Sequence, residues 1–332
     1  MPEKKSLQSR YGKISVPQRH VLCQTPEGFR MTAYWQEQCL YMGQAHVFEE
    51  ASQCIARLTG SNVTAKQLER LSHCYGQLAE ERQAREADAL RPPDNRQHYA
   101  MADGGMVLTR EDDWKELKLA RIFAAQHHLP ESEGRNFIHQ SDYVAHLGSH
   151  HAFYNKLLPL TDALPNLVWI ADGARWIWDM VSTHYPDSVQ ILDYYHCKEK
   201  LCQFAKEAIR DPTKRSEWIE EQEDLFLADQ AEIVVANISL MSCQGKARQQ
   251  QRSLLTYYEN NLPRMRYKTY RDQNLLIGSG PMEAAHRHVI QHRMKLSGQR
   301  WTIQGAQQMA TLRCLNKSGR WKLVKDLICH PN

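Results

Sequence analysis

Residues 167–171, Leu-Val-Trp-Ile-Ala, form an unbroken apolar run closed at once by Asp172-Gly173. Five apolar residues without alternation leave no face for water. Such a run reads as a strand buried on both sides, which requires a sheet covered by helices. The run 189–192, Val-Gln-Ile-Leu, repeats the theme one helix later and is closed by Asp193. Upstream, residues 98–102 form a first strand that leads into Asp103-Gly104-Gly105. Residues 114–123 alternate as a half-buried strand does, and 142–147 form a third strand. Residues 151–164 and a segment ending at His184 carry helical spacing. From 198 to about 268 the pattern is helical throughout, Gly278-Ser279-Gly280-Pro281 punctuates, and a helix runs over 282–294. The order β-β-β-α-β-α-β, a helical stretch, then a helix predicts a mixed α/β core. Its five-stranded sheet has flanking helices and is interrupted by an all-α insertion.

Ahead of this core, 31–41 and 47–58 read as helices, Gly60-Ser61-Asn62 breaks the pattern, and Thr64 opens a short helix over 65–75. Segment 47–75 is a helix-turn-helix candidate in which Lys66, Gln67 and Arg70 face outward; a plain helical hairpin has the same pattern. A separate charged helix is expected over 79–90, ended by Arg91-Pro92-Pro93. The expected divisions are 1–95, a helical N-terminal DNA-binding domain; 96–196, the first part of the core; 197–276, the helical insertion; and 277–332, the last part of the core with basic C-terminal helices.

The net charge of +4 over 332 residues is unevenly spread. Residues 1–95 hold 12 Lys/Arg and 11 Asp/Glu, 96–245 hold 14 and 23, and 246–332 hold 16 and 4. A basic tail behind an acidic middle suggests a polyanion partner, although a solvated basic face has the same composition. No long uncharged apolar run is present, so no membrane partner is expected. The nine cysteines lack framework spacing, so a cytoplasmic protein with reduced thiols is expected. His288 and His292 lack a third metal ligand at sensible spacing, and Cys197 and Cys202 read as helix-borne thiols. There is no phosphate-cradling glycine loop or nucleophile elbow.

Three acids stand where phosphoryl chemistry could use them. Asp103 is expected after strand one, Asp172 after strand four, and Glu283 in the first turn of the helix behind the insertion. In a sheet ordered 3-2-1-4-5, strands one and four are neighbours about 4.8 Å apart. Carboxylates at their ends can then share two Mg²⁺ or Mn²⁺ ions. Each acid also has a plainer reading: Asp-Gly is a turn pair, and Glu at N3 caps a helix. Asp193 closes strand five, one strand farther from Asp103; Asp193 and His196 either position the acids from behind or simply end the strand and cap the next helix, and His286 is a further candidate for positioning them. Glu283, His286, Arg287 and Ile290 share a helix face by spacing. Arg293, Lys295 and Arg300 extend a basic track to Trp301, a composition that suits phosphates and a stacked base.

These residues carry a resemblance. The segments ADGGMVLTREDDWKELKLARIF (102–123), WIADGARWIWDMVSTHYPDSVQILDYYHCKEKL (169–201) and IGSGPMEAAHRHVIQHRMKLSGQRW (277–301), with GAQQMATLRC (305–314) behind them, resemble a DDE-type insertion-sequence transposase. The similarity is to the ISKra-type elements and, more distantly, the Mutator-like ones. It implies an RNase-H-like core, catalytic and metal-binding roles for Asp103, Asp172 and Glu283, and two Mg²⁺ (or Mn²⁺) ions. It further implies transposon-end DNA with terminal inverted repeats and target DNA as partners, and a homodimer or higher assembly on DNA. The chain departs from the family where Cys23 lacks a CxxC partner for a zinc ribbon, and where Asp193-Tyr-Tyr-His196 replaces a Cys-x-x-His. A nuclease without strand transfer and a catalytically silent DNA-binding derivative are the rival readings.

If the basic tail holds phosphates, affinity for DNA should fall with salt at a log–log slope of about −0.9 per neutralised phosphate. Arg287→Ala, Lys295→Ala and Arg300→Ala are each expected to flatten that slope by roughly one, read by anisotropy across a salt series. Unchanged slopes in all three would favour the solvated face.

Overall fold

The computed structural model describes residues 4–9, 12–18, 29, 31–86, 94–132 and 135–330. Cys23 and the proline turn at 91–93 lie outside them. A hairpin of Lys4–Ser9 (β1) and Gly12–Pro17 (β2) precedes three helices, Ala33–Ala45 (α1), Phe48–Thr59 (α2) and Ala65–Arg85 (α3). Then follow His98–Leu108 (β3), Trp114–Ala124 (β4), a hairpin of His128–Ser132 (β5) and Arg135–Ile138 (β6), and Asp142–Leu147 (β7). His150–Thr161 (α4), Leu167–Ala171 (β8), Arg175–His184 (α5) and Val189–Leu192 (β9) complete this half. The helical stretch comprises Tyr194–Ala208 (α6), Pro212–Leu227 (α7), Ala231–Leu240 (α8), Gly245–Glu259 (α9) and Tyr267–Asp272 (α10). Gly280–Ala285 (α11) runs through a π turn, His286–Gln291, into His292–Met294 (α12); Ile303–Lys317 (α13) and Lys322–Cys329 (α14) end the chain.

The central sheet has the order β7-β4-β3-β8-β9. β3, β4 and β7 pair antiparallel, while β8 and β9 join β3 in parallel. This is the 3-2-1-4-5 order expected from the strand count. Every residue of β8 is buried, as an apolar run without alternation requires. Trp169, Ile170, Ile177, Val181, Ile191 and Leu201 belong to one continuous core. The helical insertion joins that core through Phe226, Val234, Ile238, Leu254 and Tyr258.

The N-terminal helices pack on the last two. Leu40, Ile55, Leu68, Leu71 and Tyr75 share a second cluster with Leu312, Leu315, Val324 and Ile328. Here the expected pair of helices over 65–75 and 79–90 is corrected to one helix, α3, that passes straight through Gly76. Glycine normally weakens a helix. At this position it lets α13 approach: a Cβ on Gly76 would stand 2.6 Å from Gln308 Cβ. Thr64 and Gln67 close a capping box at the start of α3, and Gly60 ends α2 at a φ of 69°.

Arg293 and Trp301, expected on a DNA-facing track, are interior residues. The Arg293 guanidinium, 1% exposed, lies between the rings of Phe48 and Trp301, 4.7 and 5.0 Å from their centroids. Its Nε donates to Gly43 O at 3.1 Å. Burial, reinforced by the nearby Arg313, pulls its pKa down to about 10. Trp301 accepts the Arg110 N–H and donates its own backbone N–H to Leu108 O, so it extends the end of β3. Arg287, Lys295 and Arg300 remain exposed.

Gly76→Val should overpack the α3–α13 contact. A loss of about 1–3 kcal/mol of stability is expected in urea unfolding; an unchanged midpoint would contradict close packing there.

Candidate functional site

The β3–β8 register sets Met101 beside Ile170. Two residues on, past the last paired position, come Asp103 and Asp172. The β8–β9 register sets Ala171 beside Leu192, so Asp193 stands one step farther along the same level. Three neighbouring parallel strands therefore bring three aspartates to one edge.

Asp103 lies inside β3, not after it as expected. Parallel pairing with β8 stops at Met101, but antiparallel pairing with β4 continues to Leu108 opposite Trp114. The strand thus overshoots its parallel neighbour and carries Asp103 into the open. Asp103 Oδ1 accepts the Gly104 N–H at 2.7 Å. Its Oδ2 lies 3.2 Å from His286 Nε2, in contact but off the hydrogen-bond direction. Gly105 makes room for that imidazole, since a Cβ there would be 3.0 Å from the ring.

Asp172 is half-buried, and its Oδ1 accepts the Ala174 N–H at 2.9 Å. Burial raises its pKa above the usual carboxylate range, against the pull of the Ala174 N–H, and the like charge of Asp103 adds to the rise. His196 and Lys200, both on α6, oppose it with positive charge. His196 is itself raised to about 9, chiefly by Asp193, whose Oδ2 lies 3.6 Å from its Nδ1, which favours the imidazolium at neutral pH. Lys200 sits 4.8 Å from the ring centroid of Tyr257, which comes from α9.

Asp193 has another task. It is 2% exposed and caps α6, accepting from the backbone N–H groups of Tyr195 and His196 at 2.7 and 3.2 Å. Its Oδ2 accepts the Ser279 N–H at 2.9 Å and the Ser279 hydroxyl. Burial pushes the Asp193 pKa up, but the bonds from His196 and Ser279 outweigh it and the carboxyl is held below its ordinary value. Both oxygens are committed to protein donors.

Those bonds fix the turn that starts α11. Glu283 is exposed in its first turn, one turn before His286. The expected four-residue face is altered by the π turn: Ile290 and His286 are buried, while Glu283 and Arg287 are exposed. The π turn has a visible holder. Arg313, 3% exposed, donates to the carbonyls of Val289 and His288 and also to Gln44 O.

Among the described residues, no group of three or more His, Cys, Asp or Glu side chains converges into a metal cage. The donors are nonetheless of the right kind. Asp103 and Asp172 are hard carboxylates whose mutual repulsion a dication relieves, and Mg²⁺ commonly takes one or two carboxylates and completes its shell with waters and substrate phosphates.

On α3, Lys66 is paired with Glu69 at 2.6 Å, and the Gln67 side chain accepts the Thr64 N–H at 2.9 Å. Arg70 is exposed. Lys200 and Tyr257 were not singled out in the sequence; the insertion's helical spacing shows which residues it buries but not which of them return to the sheet. Compared with known proteins, the chain matches no family model, and no curated protein is significantly similar to it.

Asp193→Ala should cost about 1–3 kcal/mol in urea unfolding, because it uncaps α6 and strands the Ser279 donors. Asp103→Asn, at a carboxylate 46% exposed, should stay within about 0.5 kcal/mol of wild type. Equal losses would contradict the division of roles.

Proposed function

We propose that the chain is a DDE-type transposase, a metal-dependent nuclease and DNA strand transferase built on an RNase-H-like core. The observation that carries this reading is the side-by-side setting of Asp103 and Asp172 at the end of parallel pairing, with His286, from the helix of Glu283, against Asp103. The strand order, with three antiparallel strands followed by two parallel ones, supports the core assignment, and so do the resembling segments.

Asp103 and Asp172 would hold Mg²⁺ through the oxygens not engaged by Gly104 and Ala174, with Glu283 as third ligand from the helix. When bound, the metal supplies charge neutralisation at the phosphate and acidifies the attacking water or 3′-hydroxyl. The remaining work belongs to the chain. Cationic His196 and Lys200 stand beside Asp172, where they can donate to non-bridging phosphate oxygens. Arg287 extends that role along the exposed face of the helix. Asp193 keeps the helix start fixed against the sheet, so positioning and charge complementarity drive the reaction without a protein nucleophile. The exposed basic residues of the tail suit DNA, and pairing two DNA ends requires at least two protomers.

The test is cleavage and joining of labelled duplex carrying the element's own end sequences, in Mg²⁺. Asp172→Asn and Glu283→Gln should each lose both steps by roughly a hundredfold or more while end binding is kept. Asp193→Asn should retain measurable cleavage. Cleavage without joining in the wild type would favour a plain nuclease, and a Glu283→Gln protein at wild-type rate would remove the three-acid assignment.

A further inference from the structure

On the flank of α11 away from Asp103 lies a cavity of about 1150 Å³, walled by β4, the β5–β6 hairpin, the start of α6 and the end of α13. Arg121, Lys317, His128 and His288 line it, and none of the residues described as lining it is Asp or Glu. Arg121 is 6% exposed. Its Nε donates to Ser141 Oγ at 2.9 Å and its Nη1 to Pro281 O at 2.7 Å, both neutral partners. Among the described residues no carboxylate lies within ion-pair reach of Arg121 or Lys317. A buried guanidinium without a counter-ion is costly, and natural structures normally pair it. Among the described residues Arg121 has only neutral partners, including the rings of Phe123 and Tyr143 at 5.6 Å, and it lines the cavity.

The surroundings record the excess positive charge. Burial, followed by the charges of Arg121, Lys317 and Arg313, pulls His288 down to about 4. His128 is lowered by burial and by Arg121. Two aromatic side chains stand at the rim with much of their surface free: Phe137, 53% exposed, and Tyr195, 65% exposed.

We propose that this cavity binds an unpaired stretch of nucleic acid, one phosphodiester on Arg121 and Lys317 and a base stacked on Phe137 or Tyr195. Phosphate suits the two cations, which have no carboxylate partner among the described residues, while aromatic faces accept any base, so sequence selectivity is not expected. Arg121 pairs in register with Met101, two residues from Asp103 on the same sheet face. Cβ atoms in that diagonal relation are roughly 7–8 Å apart, so a strand held here is within reach of the acids. The identity of the ligand as a DNA strand rests on the phosphoryl-transfer reading; its binding does not need metal.

The test is fluorescence anisotropy of the full chain with a fluorescein-labelled 12-nucleotide oligothymidylate in EDTA, where no cleavage occurs. Lys317→Ala and Phe137→Ala, both at exposed side chains, should each weaken binding roughly tenfold. Arg121→Gln should do at least as much if its melting temperature is unchanged; the two exposed variants decide the matter if it is not. Lys322→Ala, an exposed lysine on α14 outside the cavity, is the control and should stay near wild type. Equal losses in Lys317→Ala and Lys322→Ala, or no loss with Phe137→Ala and Tyr195→Ala together, would overturn the proposal. So would inorganic phosphate binding that Lys317→Ala abolishes while oligonucleotide affinity stays the same. Loss of cleavage in Mg²⁺ with intact binding in EDTA would count against the enzyme reading alone.

Discussion

The Asp193 carboxylate accepts four donors while 2% exposed: two backbone N–H groups of α6, and the N–H and hydroxyl of Ser279. A buried charge is costly unless it is hydrogen-bonded, and here both oxygens are met by donors. The arrangement joins two segments 86 residues apart in sequence. Between them runs the entire helical insertion, so the contact closes the insertion at its base. Glu283 and His286 depend on that return. The Asp193–Ser279 contact, together with the Arg121 bond to Pro281 O and the Tyr194 N–H bond to Ile277 O, sets the height of α11 above Asp103.

A second buried ion acts farther along the same helix. Along the π turn over His286–Gln291, Arg313 donates to the carbonyls of His288 and Val289. π turns often mark functional positions because they shift side-chain register. Here the shift separates His286, turned inward to Asp103, from Arg287, left in the open. Arg293, one turn later, is held between Phe48 and Trp301, so the helix is anchored to the N-terminal helices as well as to the sheet.

The sheet was legible because its signals are local. Each strand has a local apolar pattern, and the two acid-closed runs fixed the parallel half; β4, expected to be half-buried, is instead buried without alternation from Leu117 to Ala124, because neighbouring strands and helices cover both its faces. The role of Asp193 as a helix cap was also readable from its place after a strand. Other features depend on partners far away in sequence. Arg293 reads as a surface cation until Phe48 and Trp301 are seen around it. Gly76 reads as a break until Gln308 fills the space beside it. In the β5–β6 hairpin Leu129 and Phe137 are exposed, so these apolar residues give no burial pattern to detect. The overshoot of β3 past β8, which opens Asp103, arises from unequal pairing on the strand's two sides; no single strand's pattern encodes it.

The carboxylate pair just past the end of β3–β8 pairing is proposed to take a divalent cation. Mn²⁺ titration of the full chain, followed by electron paramagnetic resonance of the free ion, reads this without DNA or turnover. Saturable binding is expected in the wild type, with Asp103→Asn and Asp172→Asn each removing it while the melting temperature without metal stays the same. Equal Mn²⁺ uptake by the wild type and both variants would contradict it.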